Sequence, residues 1–138
     1  MKILKIAIAA SITLVSCDRI DPRFCIVNKT DKNVCVYLTK DSSTNNAKLY
    51  FSEYGKVDKQ LRQYYFIKSN DSTHFAVMGD WDSPSNYRFN DDKMIFIFSV
   101  DSIQLKTEML EKHPQTVIRK FEIAQNTLID NNWHFEIK

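Results

Sequence analysis

Lys93-Met94-Ile95-Phe96-Ile97-Phe98-Ser99-Val100 is the stretch on which the fold turns. It is continuously apolar at its centre, rich in β-branched and aromatic residues, and bounded by polar sequence. That pattern reads as a central strand covered on both sides. Downstream, Asp101 or Ser102 is placed to cap a helix running to Lys112, with Ile103, Leu105, Met109 and Leu110 as an imperfect apolar stripe. Pro114 interrupts it. Residues 116–123 then read as a strand and 125–131 as a turn or two of helix with Leu128 inward. Residues 133–137 form a last strand in which Trp133, Phe135 and Ile137 share one face.

Upstream, residues 79–92 are a long polar loop whose Trp81, Tyr87 and Phe89 make it too aromatic for a free linker, so its rings should fold over one end of the core. Residues 73–78 alternate and residues 61–68 are aromatic and β-branched, with Asn70-Asp71-Ser72 between them; both read as strands. Residues 48–54 read as a short strand ended by Gly55, after a turn-rich stretch at 39–46. Residues 24–27 and 34–38 flank Asn28-Lys29-Thr30-Asp31-Lys32-Asn33 and read as a hairpin. Seven or eight short strands joined by turns predict a mainly β fold. The expectation is a small Ig-like β-sandwich or partly open barrel, with one or two short helices on connections. The Cys-Trp-Cys spacing of an antibody domain is missing, so "Ig-like" describes the layers only.

The chain has 138 residues and 16.2 kDa, with 43% hydrophobic and 12% aromatic residues but two glycines and three prolines. This composition excludes a collagenous or disordered chain and leaves little room for glycine-dependent phosphate sites. Residues 1–16 have the layout of an export signal: Met1, Lys2 and Lys5, the apolar run Ile6 to Val15, then Ser16 and Cys17. The run is too short to span a bilayer, which takes about 20 apolar residues. The expected organisation is a cleaved signal at 1–16, a polar tether at 17–23 and a single β-rich domain at 24–138. Of the 19 basic residues, Lys2 and Lys5 leave with the signal, so basic residues balance the 17 acidic ones in the mature chain. A neutral protein whose nearest basic patch is Lys56, Lys59 and Arg62 does not point to nucleic acid.

Leu14-Val15-Ser16-Cys17 resembles the lipobox of bacterial lipoproteins, in which the cysteine thiol receives a diacylglycerol and becomes the first mature residue. The resemblance implies lipid attachment at Cys17 and a lipid bilayer as the partner. Several acyl chains together hold a domain at the membrane essentially permanently, because each buried CH₂ contributes about 0.8 kcal/mol. Export places Cys25 and Cys35 in an oxidising compartment. In a hairpin folded symmetrically about Thr30 they face each other, and a disulfide there is worth roughly 2–3 kcal/mol. A turn one residue longer puts them on opposite faces, as two small buried hydrophobes.

Further motifs join the lipobox: the segment Val27 to Val34, Met94-Ile95-Phe96-Ile97-Phe98 ahead of Asp101-Ser102, Val117-Ile118-Arg119-Lys120-Phe121, and Leu128 to Asn132 before Trp133. Together they resemble a family of small lipoproteins of gut Bacteroidetes with a C-terminal Asn-Trp strand motif. The resemblance implies a lipid-anchored envelope protein, in the outer membrane, with a sandwich-like domain; it carries no catalytic residue. Asp101-Ser102-Ile103 and Asp71-Ser72-Thr73 also resemble the O-glycosylation acceptor motif of such exported proteins.

Asp80, Asp82, Asp91 and Asp92 are the nearest thing to catalytic or metal-binding acids. Asp80-Trp81-Asp82 begins like a calcium loop, but Pro84 and Ser85 break the pattern and no glutamate closes it. His74, His113 and His134 lack companions at zinc spacing. No catalytic residue, metal or cofactor is assigned. Among Tyr64, Tyr65, Trp81, Tyr87 and Trp133, the loop residues Trp81 and Tyr87 are the candidates for ligand contact. The expected function is a noncatalytic binding or structural module of the cell envelope, whose partner is an envelope protein or glycan. The alternative is a small hydrolase or metal-assisted enzyme using the Asp80 to Asp92 loop.

Overall fold

The computed structural model describes residues 19–54 and 66–138. The export signal, Cys17, the Lys56/Lys59/Arg62 patch, Tyr64, Tyr65 and most of the strand expected at 61–68 lie outside the described residues. The strands are β1 (Ile20–Asn28), β2 (Val34–Thr39), β3 (Phe66–Ile67), β4 (Ser72–Met78), β5 (Met94–Asp101), β6 (Arg119–Ala124) and β7 (His134–Ile137). They form two sheets, ordered β4-β1-β7 and β3-β2-β5-β6. The fold is therefore mainly β, a small two-layer sandwich without a closed barrel. The helices are α1 (Thr44–Tyr54), α2 (Glu108–Lys112), α3 (Pro114–Val117) and α4 (Gln125–Asp130), with a 3-10 segment at Ser102–Lys106.

β5 is the central strand that its sequence announces. Ile95 and Ile97 point into the core between the sheets, while Phe96, Phe98 and Val100 meet α1, α2 and the segment before β6 on the outer side. Alternate side chains of one strand thus bury in two different cores, which is why no polar alternation appears.

Four expectations are corrected. First, residues 24–38 are not a hairpin. β1 pairs with β4 and, in parallel, with β7, whereas β2 pairs with β3 and β5. Asn28 builds this change of sheet. Fully buried, it donates Nδ2 to the carbonyls of Lys32 (2.7 Å), Ile67 (3.2 Å) and Lys68 (3.1 Å), and its Oδ1 accepts from Thr30 N and Oγ1. These bonds satisfy carbonyls of the turn and of the β3 end where the chain changes sheet.

Second, Cys25 and Cys35 are not joined by a disulfide. Cys35 packs on the helix side of one sheet. Cys25 sits on the outer face of the other, opposite His74 and His134. Packed sheets lie about 10 Å apart, and side chains pointing away from each other across that gap cannot meet.

Third, residues 48–54 belong to α1. Ser43 caps it, its Oγ accepting from Asn46 N at 3.3 Å. Ala47 and Phe51, buried at helical spacing, cover Phe96 and Phe98, and Tyr50 stacks on Tyr37 at 3.9 Å.

Fourth, the body starts before Phe24. β1 opens at Ile20, and the register slips between Asp21 and Phe24. This bulge accommodates Pro22, which a regular ladder would not, and lets Asp21 and Phe24 both point inward although three residues apart.

Candidate functional site

The loop at 79–92 closes one end of the sandwich. Trp81 is buried against Phe24 (5.2 Å), Trp133 (5.5 Å) and Phe89 (6.3 Å), and its indole N–H donates to the carbonyl of Phe75 at 3.3 Å. It is part of the core rather than an exposed ring on the loop, and it borders open space only as part of a cavity wall. Tyr87, the other candidate, is exposed, with the Arg88 guanidinium 5.1 Å from its ring centroid.

The loop acids hold Arg23. Its guanidinium pairs with Asp21 at 2.7 Å, Asp80 at 2.5 Å and Asp82 at 2.9 Å. Asp21 Oδ2 also accepts the backbone N–H of Trp81 at 2.9 Å, and Asp82 Oδ1 accepts the indole N–H of Trp133 at 2.8 Å. Hydrogen bonding to Arg23 holds the Asp21 carboxyl well below the usual carboxylate range, against the opposing effect of burial. The same bonds push the guanidinium further up. Asp80-Trp81-Asp82 therefore spaces two carboxylates around one cation with an indole anchored between them. Asp91 and Asp92 are exposed in the turn before β5 and do not join this cluster.

The histidines do not converge. His74 and His134 flank Cys25 in register on the outer face of β4-β1-β7. However, His74 Nδ1 bonds the carbonyl of Pro22 (3.1 Å), and His134 lies 3.9 Å from Glu136. No group of three or more His, Cys, Asp or Glu among the described residues is arranged to hold a metal ion. This row could not be read from sequence, because it exists only once β1 lies between β4 and β7.

Two concave features remain. A polar recess of about 520 Å³ lies where β1 and β5 end, lined by Thr30, Lys32, Asp101, Gln104, Arg119 and Lys138 among others. Asp101 accepts Lys32 Nζ at 3.2 Å and lies 3.7 Å from Arg119, so its charge is matched within the recess. Asp101 makes no side-chain capping bond to the 3-10 segment, and Ser102 follows it partly exposed. Ser72, the other acceptor-motif serine, is exposed where β4 begins.

The second feature is a cavity of about 300 Å³ between β2 and β4, walled by Tyr37, Tyr50, His74, Phe75, Trp81 and Arg88 among others. The described residues lining it include no carboxylate. Arg88 Nε is buried and lacks a hydrogen-bond partner. A buried guanidinium N–H costs free energy unless something accepts from it. Aromatic walls with a few polar groups, here the Tyr37 and Tyr50 hydroxyls, the His74 ring and Arg88, are the composition of a small-ligand site. Sequence reasoning picked the neighbouring Tyr87 but missed Arg88, because a lone arginine on a polar loop reads as solvated; it is brought to β2 and β4 by the way the loop folds back.

No helix among the described residues is long and apolar enough to cross a membrane. No protein-family model matches the chain, and no curated protein or solved structure is similar to it.

Proposed function

We propose that this chain is an exported lipoprotein of the bacterial envelope, held in the outer membrane through an acylated Cys17. Its β-sandwich is a noncatalytic binding module for an envelope component. The observation that carries the binding reading is the buried, unpartnered Arg88 Nε on a residue that lines an aromatic cavity without a carboxylate of its own. An envelope glycan or peptide would supply one, since guanidinium and carboxylate match in charge and planar geometry. The engagement of Asp80 and Asp82 by Arg23 favours this reading over the hydrolase alternative: carboxylates locked to one cation are poorly placed to exchange a proton or open to a metal. The acceptor motifs at Ser72 and Ser102 remain part of the proposal, as glycan attachment points on the mature surface.

A titration of the isotope-labelled protein with soluble oligosaccharide and peptide fragments of a bacterial envelope, followed by NMR, tests the site. Amide shifts should concentrate at Tyr37, His74, Phe75 and Arg88 and vanish in Arg88→Met. Shifts elsewhere, or shifts that survive that substitution, would remove the cavity as the site.

A further inference from the structure

The geometry points to a fixed seating of the domain on the lipid surface: the end of the sandwich where β1 begins rests in the membrane interface through Ile20 and Met78. This inference rests on the proposed acylation of Cys17 and adds to it an orientation.

The leash is short. Cys17 would carry the lipid and β1 begins at Ile20, so three residue steps separate them. Fully extended, that reach is about 10 Å. The headgroup layer of one leaflet is itself about 5–8 Å deep. A domain tied so closely cannot float away from the bilayer, and the first residues of β1 must lie at or just above the headgroups.

The residues found there suit that place. Ile20 and Met78 are direct cross-strand partners at the start of β1 and the end of β4. They are 64% and 61% exposed, among the most exposed large hydrophobic residues described. Together they form one apolar knob at the end of the sheet where β1 begins. Arg19, exposed beside them, offers a cation to anionic headgroups, and its carbonyl accepts from Gly79 N at 2.7 Å, which fixes the chain's approach to the knob. The same end carries the 79–92 loop with exposed Tyr87. It also carries α4 with exposed Ile129, where the Gln125 side chain donates to the carbonyls of Trp81 and Ser83. Rings with a polar tip and aliphatic side chains are what an interfacial surface uses. Not every exposed apolar residue is here: Ile103 follows the far end of β5, and Met109 lies on α2, which covers the outer side of the other sheet, so Met109 gives the experiment an internal reference.

In this orientation β1 runs away from the membrane towards Asn28. The polar recess around Asp101 and Lys32 then faces outward, where a partner in the aqueous phase would meet it.

Methionine oxidation reads the orientation directly, because susceptibility follows exposure. The acylated protein is placed in vesicles of phosphatidylethanolamine with a minority of phosphatidylglycerol and treated with dilute peroxide. Sulfoxide at Met78 and Met109 is then measured by peptide mass. Met78 is the more exposed of the two, Met109 being 43% exposed, so without the membrane it should oxidise at least as fast. On vesicles it should oxidise roughly fivefold more slowly than Met109. A Gly/Ser insertion of about 20 residues between Asp18 and Arg19, giving a leash of about 25 Å, should return the two rates towards equality. Equal rates with the native leash would overturn the seating while leaving the anchor intact. The mass of the N-terminal peptide reads the anchor separately: an unmodified Cys17 would overturn the lipoprotein reading, and the seating with it.

Discussion

Replacing Arg23 with methionine should cost about 3 kcal/mol of stability at neutral pH, and the cost should shrink in acid. Asp80 and Asp82 side chains are 47% and 44% exposed, so their pairs with Arg23 are each worth at most about 1 kcal/mol. Asp21 is different, its side chain being only 7% exposed. Removing the partner of a buried charge costs about 3–5 kcal/mol when both groups are buried. Arg23 is itself 44% exposed, and Asp21 keeps the Trp81 N–H, so the low end of that range applies. The pH dependence follows from the depressed folded-state value of Asp21. A carboxylate held below its ordinary value of about 3.9 contributes stability that is fully present above that pH and is lost as the pH falls further. By pH 3 the unfolded chain has taken up most of a proton that folded wild type has not, which lowers wild-type stability by about 1.3 kcal/mol. In Arg23→Met the largest cause of the depressed value is gone, so much of that loss does not occur and the gap narrows in acid. Urea unfolding at pH 7 and pH 3, followed by tryptophan fluorescence, measures both terms. Trp81 and Trp133 lie in contact beside the cluster and report on it. With a urea slope of about 2 kcal/mol/M the midpoint should fall by about 1.5 M at pH 7. A shift under about 0.3 M, or an equal gap at both pH values, would refute the assignment of Asp21 as the dominant member.

Three more outcomes are expected. Asn28→Ala should lose about 2–3 kcal/mol in the same urea assay, since it strips donors from three backbone carbonyls at the change of sheet; a loss below about 1 kcal/mol would show that the crossover is held by something else. Ser99→Ala should raise stability by about 1 kcal/mol, visible as a higher melting temperature, because the Ser99 hydroxyl is fully buried without a hydrogen-bond partner; destabilisation would mean that the hydroxyl is satisfied after all. Alkylation of the unreduced, unfolded protein should modify both Cys25 and Cys35, and a linked peptide in its digest would contradict the two-sheet placement of β1 and β2.

What the sequence disclosed was set by range. The β5 strand, the β4 and β7 strands and the aromatic loop folded over one end follow from local pattern and burial, and they stand in the structure. The β1 and β2 segments were visible as strands, but their pairing was not. Symmetry about Thr30 suggests a ladder, while the chain is turned by bonds from Asn28 to Ile67 and Lys68, about forty positions away. Helix α1 was hidden because Leu49, Tyr50 and Phe51 together favour a strand, whereas the Ser43 cap and the Ala47/Phe51 spacing decide for a helix once Phe96 and Phe98 offer a surface. Trp81 reads as a contact residue because it is an amphipathic ring on a polar loop, yet the loop folds it into the core between two aspartates. Those aspartates pair with Arg23, which the sequence places nearly sixty residues earlier.

The position of the Arg23 cluster links stability to anchoring. In the proposed lipoprotein, any force from the anchor enters through Arg19 and Ile20, at the start of β1, where a strand end would ordinarily fray. Here β1 is clamped within a few residues of that point. Asp21 is bonded to Trp81 N and to Arg23, Arg23 reaches Asp80 and Asp82, and Asp82 holds the Trp133 indole that packs against Phe24. Pulling Ile20 outward must therefore break ion pairs and uncover two tryptophans together before β1 can peel from β4. A simple ladder would give way one hydrogen bond at a time. The bulge at Pro22 contributes to this arrangement, since in a regular strand Asp21 and Phe24, three residues apart, would point to opposite faces and the carboxylate would be lost to solvent. In the lipoprotein reading, the sequence from Asp21 to Phe24 is thus where the tether ends mechanically, and weakening it should loosen the membrane-facing end before the β2-β5-β6 core.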